Sequence, residues 1–119
     1  MATLAPVFTE LRKIMAPYGA KLEIKRDAPG DFYVDTRHLG ANKTPIFFGA
    51  VQEKAKFVSY HLMPVYSHPE LLEGISPEVK ARMQGKSCFN FNEVATALMK
   101  QLAALTKRSF ERYKKVGYV

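Results

Sequence analysis

Cys88, the only cysteine, lies in the short stretch KSCFNF at residues 86–91, and its thiol is open to three kinds of chemistry. It could act as a nucleophile, ligate a metal, or pack as a small apolar group. Alternation along a strand would place Cys88 on the face opposite Ser87, Phe89 and Phe91. Because free cysteines are usually buried and behave as small apolar residues, a core position is the first expectation.

A reactive thiol needs charged and basic neighbours. Lys86, and Arg82 if the preceding helix turns back over the strand, would lower the pKa of Cys88. A nucleophile also needs a base within hydrogen-bond reach, and His61 is the only histidine predicted to lie in a strand. Enzymatic activity would therefore require Cys88 and His61 to meet. Since the chain carries no Gly-rich phosphate loop, nucleophile elbow or zinc-protease motif, we predict no catalytic residues.

The histidines do not form a metal-site pattern. His38, His61 and His68 are not spaced at i, i+3 or i+4, and no second cysteine completes a zinc site. The acidic residues cluster only loosely, around one hairpin and around the short middle helices, as solvated turn carboxylates do. We therefore predict no metal site and no cofactor.

The last predicted helix carries a cationic stripe. Lys100, Lys107 and Lys114 repeat every seven residues, and Arg108 and Lys115 lie beside two of them. Cations near a helix C-terminus also complement the helix dipole, so a solvated basic face explains much of the pattern. The alternative is a surface that binds the phosphates of nucleic acid, or an acidic protein.

Hydrophobic periodicity predicts the elements that would position these residues, beginning with an N-terminal helix. Apolar residues at three- and four-residue steps predict an amphipathic helix over residues 4–15, which Pro17 and Gly19 would end. Leu22 and Ile24 then alternate with charged neighbours. This alternation predicts a half-buried strand.

Three further strands are predicted from β-branched and aromatic residues, over 32–37, 45–52 and 56–63. The polar residues between the last two runs favour an antiparallel hairpin. Within the last run, Tyr60 would face the core, and His61 would face the other side among mixed neighbours.

The second half of the chain changes to helical signals. Ser76 and Pro77 predict a helix start, and Gly85 would cap the end of that helix. KSCFNF is predicted as a short strand. From Asn92 we predict a helix of about 24 residues with Val94 on its apolar stripe.

This order of elements predicts the α+β class. We expect an antiparallel sheet of about five strands, with an N-terminal helix, short middle helices and a long C-terminal helix packed on one face. Parallel strands would need crossovers of a dozen residues, which the chain does not offer before Pro64.

The composition is typical of one cytoplasmic domain spanning residues 1–119. With 47% apolar residues the chain can bury a core of its own, and it contains no apolar run of 18 residues and no charged-then-apolar leader. One cysteine cannot form an internal disulfide. The net charge of +7 favours association with anions but identifies no partner. We expect no membrane partner, and the sequence does not indicate an oligomeric state.

The segment FVSYHLMPVYSHPELLEGISPEVKARMQGKSCFNF, followed by a long helix, resembles the YdhG-like domains of unknown function, which are small bacterial α+β proteins. The resemblance implies the same order of helix, antiparallel sheet, short helices, late strand and C-terminal helix. Some YdhG-like members have been proposed as frataxin-like iron chaperones. Here the first helix carries Glu10 as its only acid and the chain is at +7, so the resemblance transfers no iron site.

Three functions follow as hypotheses. The first is a non-enzymatic binding module with a pocket between sheet and helices for a small ligand with an anionic group. Six residues are its predicted lining: Tyr60, His61, Tyr66, Arg82, Lys86 and Cys88. The second is a nucleic-acid or acidic-protein binder that uses the basic C-terminal helix. The third is a frataxin-like iron carrier.

Overall fold

The computed structural model describes residues 4–119, which form an α+β domain built on one antiparallel sheet. The helices are α1 (Ala5–Met15), α2 (Met63–Ser67), α3 (Pro77–Lys80) and α4 (Thr96–Lys115), with 3₁₀ segments at Ala16–Lys21 and Pro69–Leu72. The strands are β1 (Glu23–Ala28), β2 (Asp31–Leu39), β3 (Pro45–Glu53), β4 (Val58–Leu62), β5 (Met83–Gln84) and β6 (Cys88–Phe91). Their order in the sheet is β1-β2-β3-β4-β6-β5. The predicted class is confirmed, with six strands in place of about five.

Helices α1 and α4 cover one face of the sheet and close the core. The predicted stripe of α1 is buried, and Leu11 and Met15 are completely enclosed. Leu102 and Leu105 of α4 are enclosed in the same cluster. Pro17 ends the α-helical geometry as predicted, although the backbone continues in a 3₁₀ segment to Lys21.

Helix α4 begins four residues later than predicted. The chain uses residues 92–95 to pass from the sheet layer to the helix layer, so the helix starts at Thr96 and spans 20 residues. Val94 therefore lies on this connection and is 45% exposed, which corrects its predicted place on the apolar stripe. Between residues 4 and 119 no helix is both long and apolar enough to cross a bilayer.

Two edge strands differ from the prediction. Every residue of β1 is exposed, because this strand lies at the edge of the sheet. Leu22, just before it, is buried, but Ile24 is 44% exposed. The helix predicted to run from Pro77 to Gly85 ends at Lys80. Residues 83–84 instead form β5, a two-residue edge strand paired with β6.

Candidate functional site

The sheet surface away from the helices, which we call the open face, carries polar and aromatic side chains. In β4, Val58, Tyr60 and Leu62 point into the core as predicted, and the half-buried Ser59 and His61 point to the open face. Register then places two neighbours opposite His61 on the same face, namely Ala50 in β3 and Cys88 in β6.

Three side chains form a hydrogen-bonded group, which we call the thiol cluster: Cys88, His61 and Ser87. Cys88 Sγ lies 2.9 Å from His61 Nδ1, and Ser87 Oγ lies 3.0 Å from His61 Nε2. Ser87 is buried, and its carbonyl accepts a hydrogen bond from the Leu62 amide at 2.9 Å, so its backbone is tied to β4. Both ring nitrogens of His61 are therefore occupied by partners from the same turn and strand.

Aromatic rings hold the imidazole from the other side. The Phe47 ring meets His61 edge-on with centroids 5.2 Å apart, and the Tyr33 ring stacks on Phe47 at 4.7 Å. The Arg26 guanidinium lies 4.5 Å above the Tyr33 ring. The open face thus continues from the thiol cluster toward β1 as a packed aromatic and cationic surface.

Burial sets the protonation of the thiol cluster. It raises the pKa of the Cys88 thiol, against the smaller opposing effects of a hydrogen bond from Ser59 and the charge of Lys54. Burial also lowers the pKa of His61. Both groups are therefore neutral at neutral pH.

The cations predicted to activate Cys88 are engaged elsewhere. Lys86 Nζ lies 6.0 Å from the centre of the Tyr66 ring, and Arg82 pairs with Glu93 at 3.1 Å. Neither contributes to the pKa of Cys88, because the turn at residues 85–87 directs Lys86 away from the open face. Their predicted role as activating neighbours is wrong.

The six residues predicted to line one pocket lie in separate places. Tyr60 is enclosed in the core, where its hydroxyl is 2.7 Å from Thr106 Oγ, so it lies on the opposite side of the sheet from His61 and Cys88. Tyr66 and Lys86 line a cavity of about 370 Å³ at the end of the sheet. The predicted shared pocket is wrong, because neighbouring residues of one strand point to opposite faces.

That cavity lies between the 63–72 segment and the β5–β6 turn. Its wall is otherwise apolar or small, and comprises Val65, Pro69, Leu72, Met83 and Gly85. Tyr66 is 55% exposed at its rim. The cavity offers an apolar surface with a single cation.

The basic residues of α4 divide into two groups. Arg112 forms an ion pair with Glu70, and Arg108 donates to the Leu71 carbonyl at 3.4 Å, so both fasten the 3₁₀ segment at 69–72. This gives Arg108 a structural contact that the phosphate-binding prediction did not include. The remaining four, which we call the lysine surface, are exposed and make no ion pair with any residue from 4 to 119: Lys100, Lys107, Lys114 and Lys115.

An aromatic groove runs beside the lysine surface. Tyr18, in the 3₁₀ segment that follows α1, packs on Phe110 of α4 with ring centroids 4.9 Å apart. The two rings lie in a shallow groove of about 510 Å³ whose rim includes Lys107, Lys114 and Lys115, with Glu111 as the single acid. Phe110 is only 7% exposed, whereas Tyr18 is partly exposed, so Tyr18 is the more accessible of the two rings.

The described part of the chain contains no group of three histidine, cysteine or acidic side chains arranged to hold a metal ion. His38, which is in β2 rather than in the predicted loop, packs on Tyr118 with centroids 4.9 Å apart. His61 is thus not the only histidine in a strand, but it is the one beside Cys88.

Comparison with known proteins adds no relative. The chain matches no protein-family model, no curated protein and no solved structure. Two functional candidates were absent from the sequence predictions, namely Ser87 and Tyr18. Alternation placed Ser87 on the side of Phe89 and Phe91, away from Cys88, and this fails because Ser87 lies in a turn and not in β6. Tyr18 was hidden because its partner lies more than 90 residues away in α4.

Proposed function

We propose that the protein binds the phosphate backbone of single-stranded nucleic acid through the lysine surface. The observation that carries this proposal is four exposed lysines on one helix, three of which line the groove that contains the partly exposed ring of Tyr18. Proteins that bind single strands without sequence preference combine such cations with aromatic side chains on which bases stack. The residues predicted to line a pocket for a small ligand lie in separate places. The basic helix, in contrast, has an aromatic ring beside it.

The spacing of the lysines suits a polymer of phosphates. Positions seven residues apart on a helix are roughly 10.5 Å apart along its axis, so Lys100 and Lys114 span roughly 21 Å. Stacked nucleotides advance about 3.4 Å each, so successive lysines of the stripe would meet about every third phosphate. Glu111 lies within this stripe and opposes one of the four charges. We therefore expect modest affinity that depends strongly on salt.

The test is the salt dependence of binding to a fluorescent oligothymidine, measured by anisotropy. Three engaged lysines would give a slope of log affinity against log salt of about −2.1, at roughly −0.7 per contact on a single strand. Changing Lys100, Lys107 and Lys114 together to Gln should bring this slope close to zero. Their exposure implies a stability change of no more than about 0.5 kcal/mol per site.

A matched control separates this surface from net charge. Lys21, Lys56 and Lys80 are exposed and lie off the lysine surface, so changing all three to Gln removes the same charge elsewhere. Equal weakening of binding by both triple variants would contradict the proposal. Tyr18→Leu, which keeps an apolar contact with Phe110, should weaken binding by about 1–3 kcal/mol at an unchanged salt slope.

A second candidate function is the binding of a small ligand with an anionic group in the cavity between Tyr66 and Lys86. It is favoured by the 370 Å³ volume, the apolar wall and the single cation at the rim. Native mass spectrometry of the purified protein is its direct check. Membership in the YdhG-like family and iron delivery stay predictions, and the cationic surface of α4 disfavours iron delivery.

A further inference from the structure

The thiol cluster has the geometry of a nucleophile with its base. In one of the two neutral tautomers of His61, Nδ1 accepts the proton of the Cys88 thiol across the 2.9 Å contact. A neutral imidazole that accepts at Nδ1 carries its proton on Nε2, which then donates to Ser87 Oγ at 3.0 Å. The Ser87 hydroxyl can accept this hydrogen bond, so it accommodates the tautomer in which His61 takes a proton from the thiol.

The imidazole has little freedom to leave this position. Its two nitrogens are held by Cys88 and Ser87, and its ring is flanked by Phe47. A base that is already oriented toward the thiol needs no reorganisation when the thiol reacts. Cys88 is partly exposed on the face that the helices leave uncovered, so the residue is open to solvent from that side.

We propose that Cys88 is a nucleophilic thiol that exchanges with disulfides of small thiols, with His61 as its general base and Ser87 as a positioning residue. The proton of Cys88 passes to His61 Nδ1 as Sγ attacks one sulfur of the incoming disulfide. A new S–S bond forms on Cys88, the original S–S bond breaks, and the departing thiolate takes the proton from His61. Cys88 is oxidised and one small thiol is released in reduced form.

The product would be a mixed disulfide that the chain cannot resolve by itself. Cys88 is the only cysteine, so no second thiol of the same molecule can attack the new bond. Release therefore requires an external thiol, and the modification follows the ratio of small disulfide to small thiol in the surroundings. This activity is independent of the lysine surface.

The rate of exchange should depend on pH through His61. Because the neutral imidazole is the active form, the rate should rise as pH passes upward through the lowered pKa of His61. The rate should then level off until direct ionisation of the thiol takes over at higher pH, since burial raises the pKa of Cys88. A thiol without a base instead gains rate about tenfold per pH unit over this whole range.

Other charged groups on and beside the open face are distributed across two strands and a loop. They are Arg26 in β1, Asp31 and Asp35 in β2, and Lys54 after β3. Arg26 and Asp31 pair with each other at 2.7 Å. Burial raises the pKa of Asp35, and none of these groups alters the pKa of His61. The level region of the profile is therefore assigned to His61.

The experiment measures release of the coloured thiolate from dithiobis(nitrobenzoate), an aromatic disulfide, by native protein across a range of pH. At neutral pH, His61→Gln should slow the reaction by about a hundredfold, at the low end of general-base effects. Its profile should lose the level region. Ser87→Ala should slow the reaction less and keep the level region, because the base remains but is less well oriented. Cys88→Ser should release nothing.

Two readouts keep the proposal open to contradiction if a variant folds poorly. The wild-type pH profile needs no variant. A plot of log rate against pH with a constant slope of one and no level region would overturn the role of His61. Equal rates for wild type and a folded His61→Gln variant would do the same. Oxidised glutathione should add one glutathionyl group to the native protein by intact mass, reversed by excess reduced glutathione, and failure to form this adduct would remove the proposed substrate class.

Discussion

The two faces of the sheet differ most where β4 pairs with β6. On the core face Tyr60 lies opposite Phe89, and neither side chain has any exposed surface. One residue further along, His61 lies opposite Cys88 on the open face, and both are only partly buried. The same two strands thus present an apolar pair to the helices and a nucleophile–base pair to the solvent.

One pair of strands therefore places residues that stabilise the fold on one face and the residues of the proposed thiol reaction on the other. Substitutions on the core face should act on the free energy of unfolding, because they remove packed volume. Substitutions of Cys88 and His61 on the open face should act mainly on thiol reactivity, because both residues are only partly buried. Each prediction below tests this separation with variants on the two faces, or at two differently packed positions.

The largest expected effect is a difference in the free energy of unfolding between substitutions at two adjacent residues of β6. Phe89→Ala should lower the free energy of unfolding by about 3–5 kcal/mol, since it leaves a cavity among completely enclosed side chains. Cys88→Ala, one residue away, should cost no more than about 1 kcal/mol. Urea denaturation followed by circular dichroism measures both. Similar costs at the two positions would mean that the faces are not energetically distinct.

A smaller effect is expected at Gly49, which lies opposite Leu62 on the core face. An added Cβ would come within 2.5 Å of Met15 Cε and 2.7 Å of the His61 carbonyl oxygen. Since the second obstacle is backbone, Gly49→Ala should cost about 1–3 kcal/mol and should also slow thiol exchange, because it displaces His61.

Gly19→Ala is the matched control for this collision. Its Cβ would come within 2.7 Å of Ile24 Cδ1, the end of a flexible side chain that is 44% exposed and can move aside. We expect a change within about 0.5 kcal/mol and unchanged thiol exchange. A large cost at Gly19 would show that close approach alone, and not a rigid obstacle, determines the outcome.

The smallest expected effect concerns the hydroxyl of Tyr60. Tyr60→Phe should cost about 0.5–1.5 kcal/mol at neutral pH, because it removes the hydrogen bond with Thr106, which still donates to the Leu102 carbonyl. Tyr33→Phe, on the open face, should cost less than about 0.5 kcal/mol.

Alkaline pH should reduce the cost of Tyr60→Phe. Burial raises the pKa of Tyr60 far above that of an unfolded tyrosine, and raises the pKa of Tyr113 to about 12. The native state therefore keeps protons that the unfolded chain has lost above about pH 10, and the free energy of unfolding falls as pH rises. The variant lacks one such group, so its disadvantage should shrink. Urea denaturation at neutral and alkaline pH measures this, and a constant difference would contradict it.

The sequence predicted the fold class and separated the two sides of β4 and β6, because alternation is a local property of each strand, but it expected a core position for Cys88, which lies partly exposed on the open face. Tyr60 and Phe89 were assigned to one side of their strands and His61 and Cys88 to the other, as the structure has them. The periodicity of a single strand, however, does not show which residues of two paired strands lie opposite each other. His61 lies directly opposite Cys88 because β4 pairs with β6 across more than 20 intervening residues. The sequence could therefore name a contact between the two side chains only as a requirement for enzymatic activity.

The failed predictions share a physical origin. Arg82 and Lys86 were assigned to the thiol by closeness in sequence, whereas the turn at 85–87 carries Lys86 to the Tyr66 cavity. Residues 83–84 resembled the end of a helix, but pairing with β6 made them a strand. In both cases a contact between elements outweighed a local preference.

The two edges of the sheet have a consequence for assembly. Edge strands expose unpaired backbone groups on which another chain can add a strand. Here β1 carries Glu23, Lys25 and Arg26 in exposed positions with a register shift between Ile24 and Arg26, and β5 is only two residues long. Charge, irregularity and shortness each oppose strand addition, so the sheet is protected at both ends against growing into fibrils, even though its broad open face stays accessible to solvent.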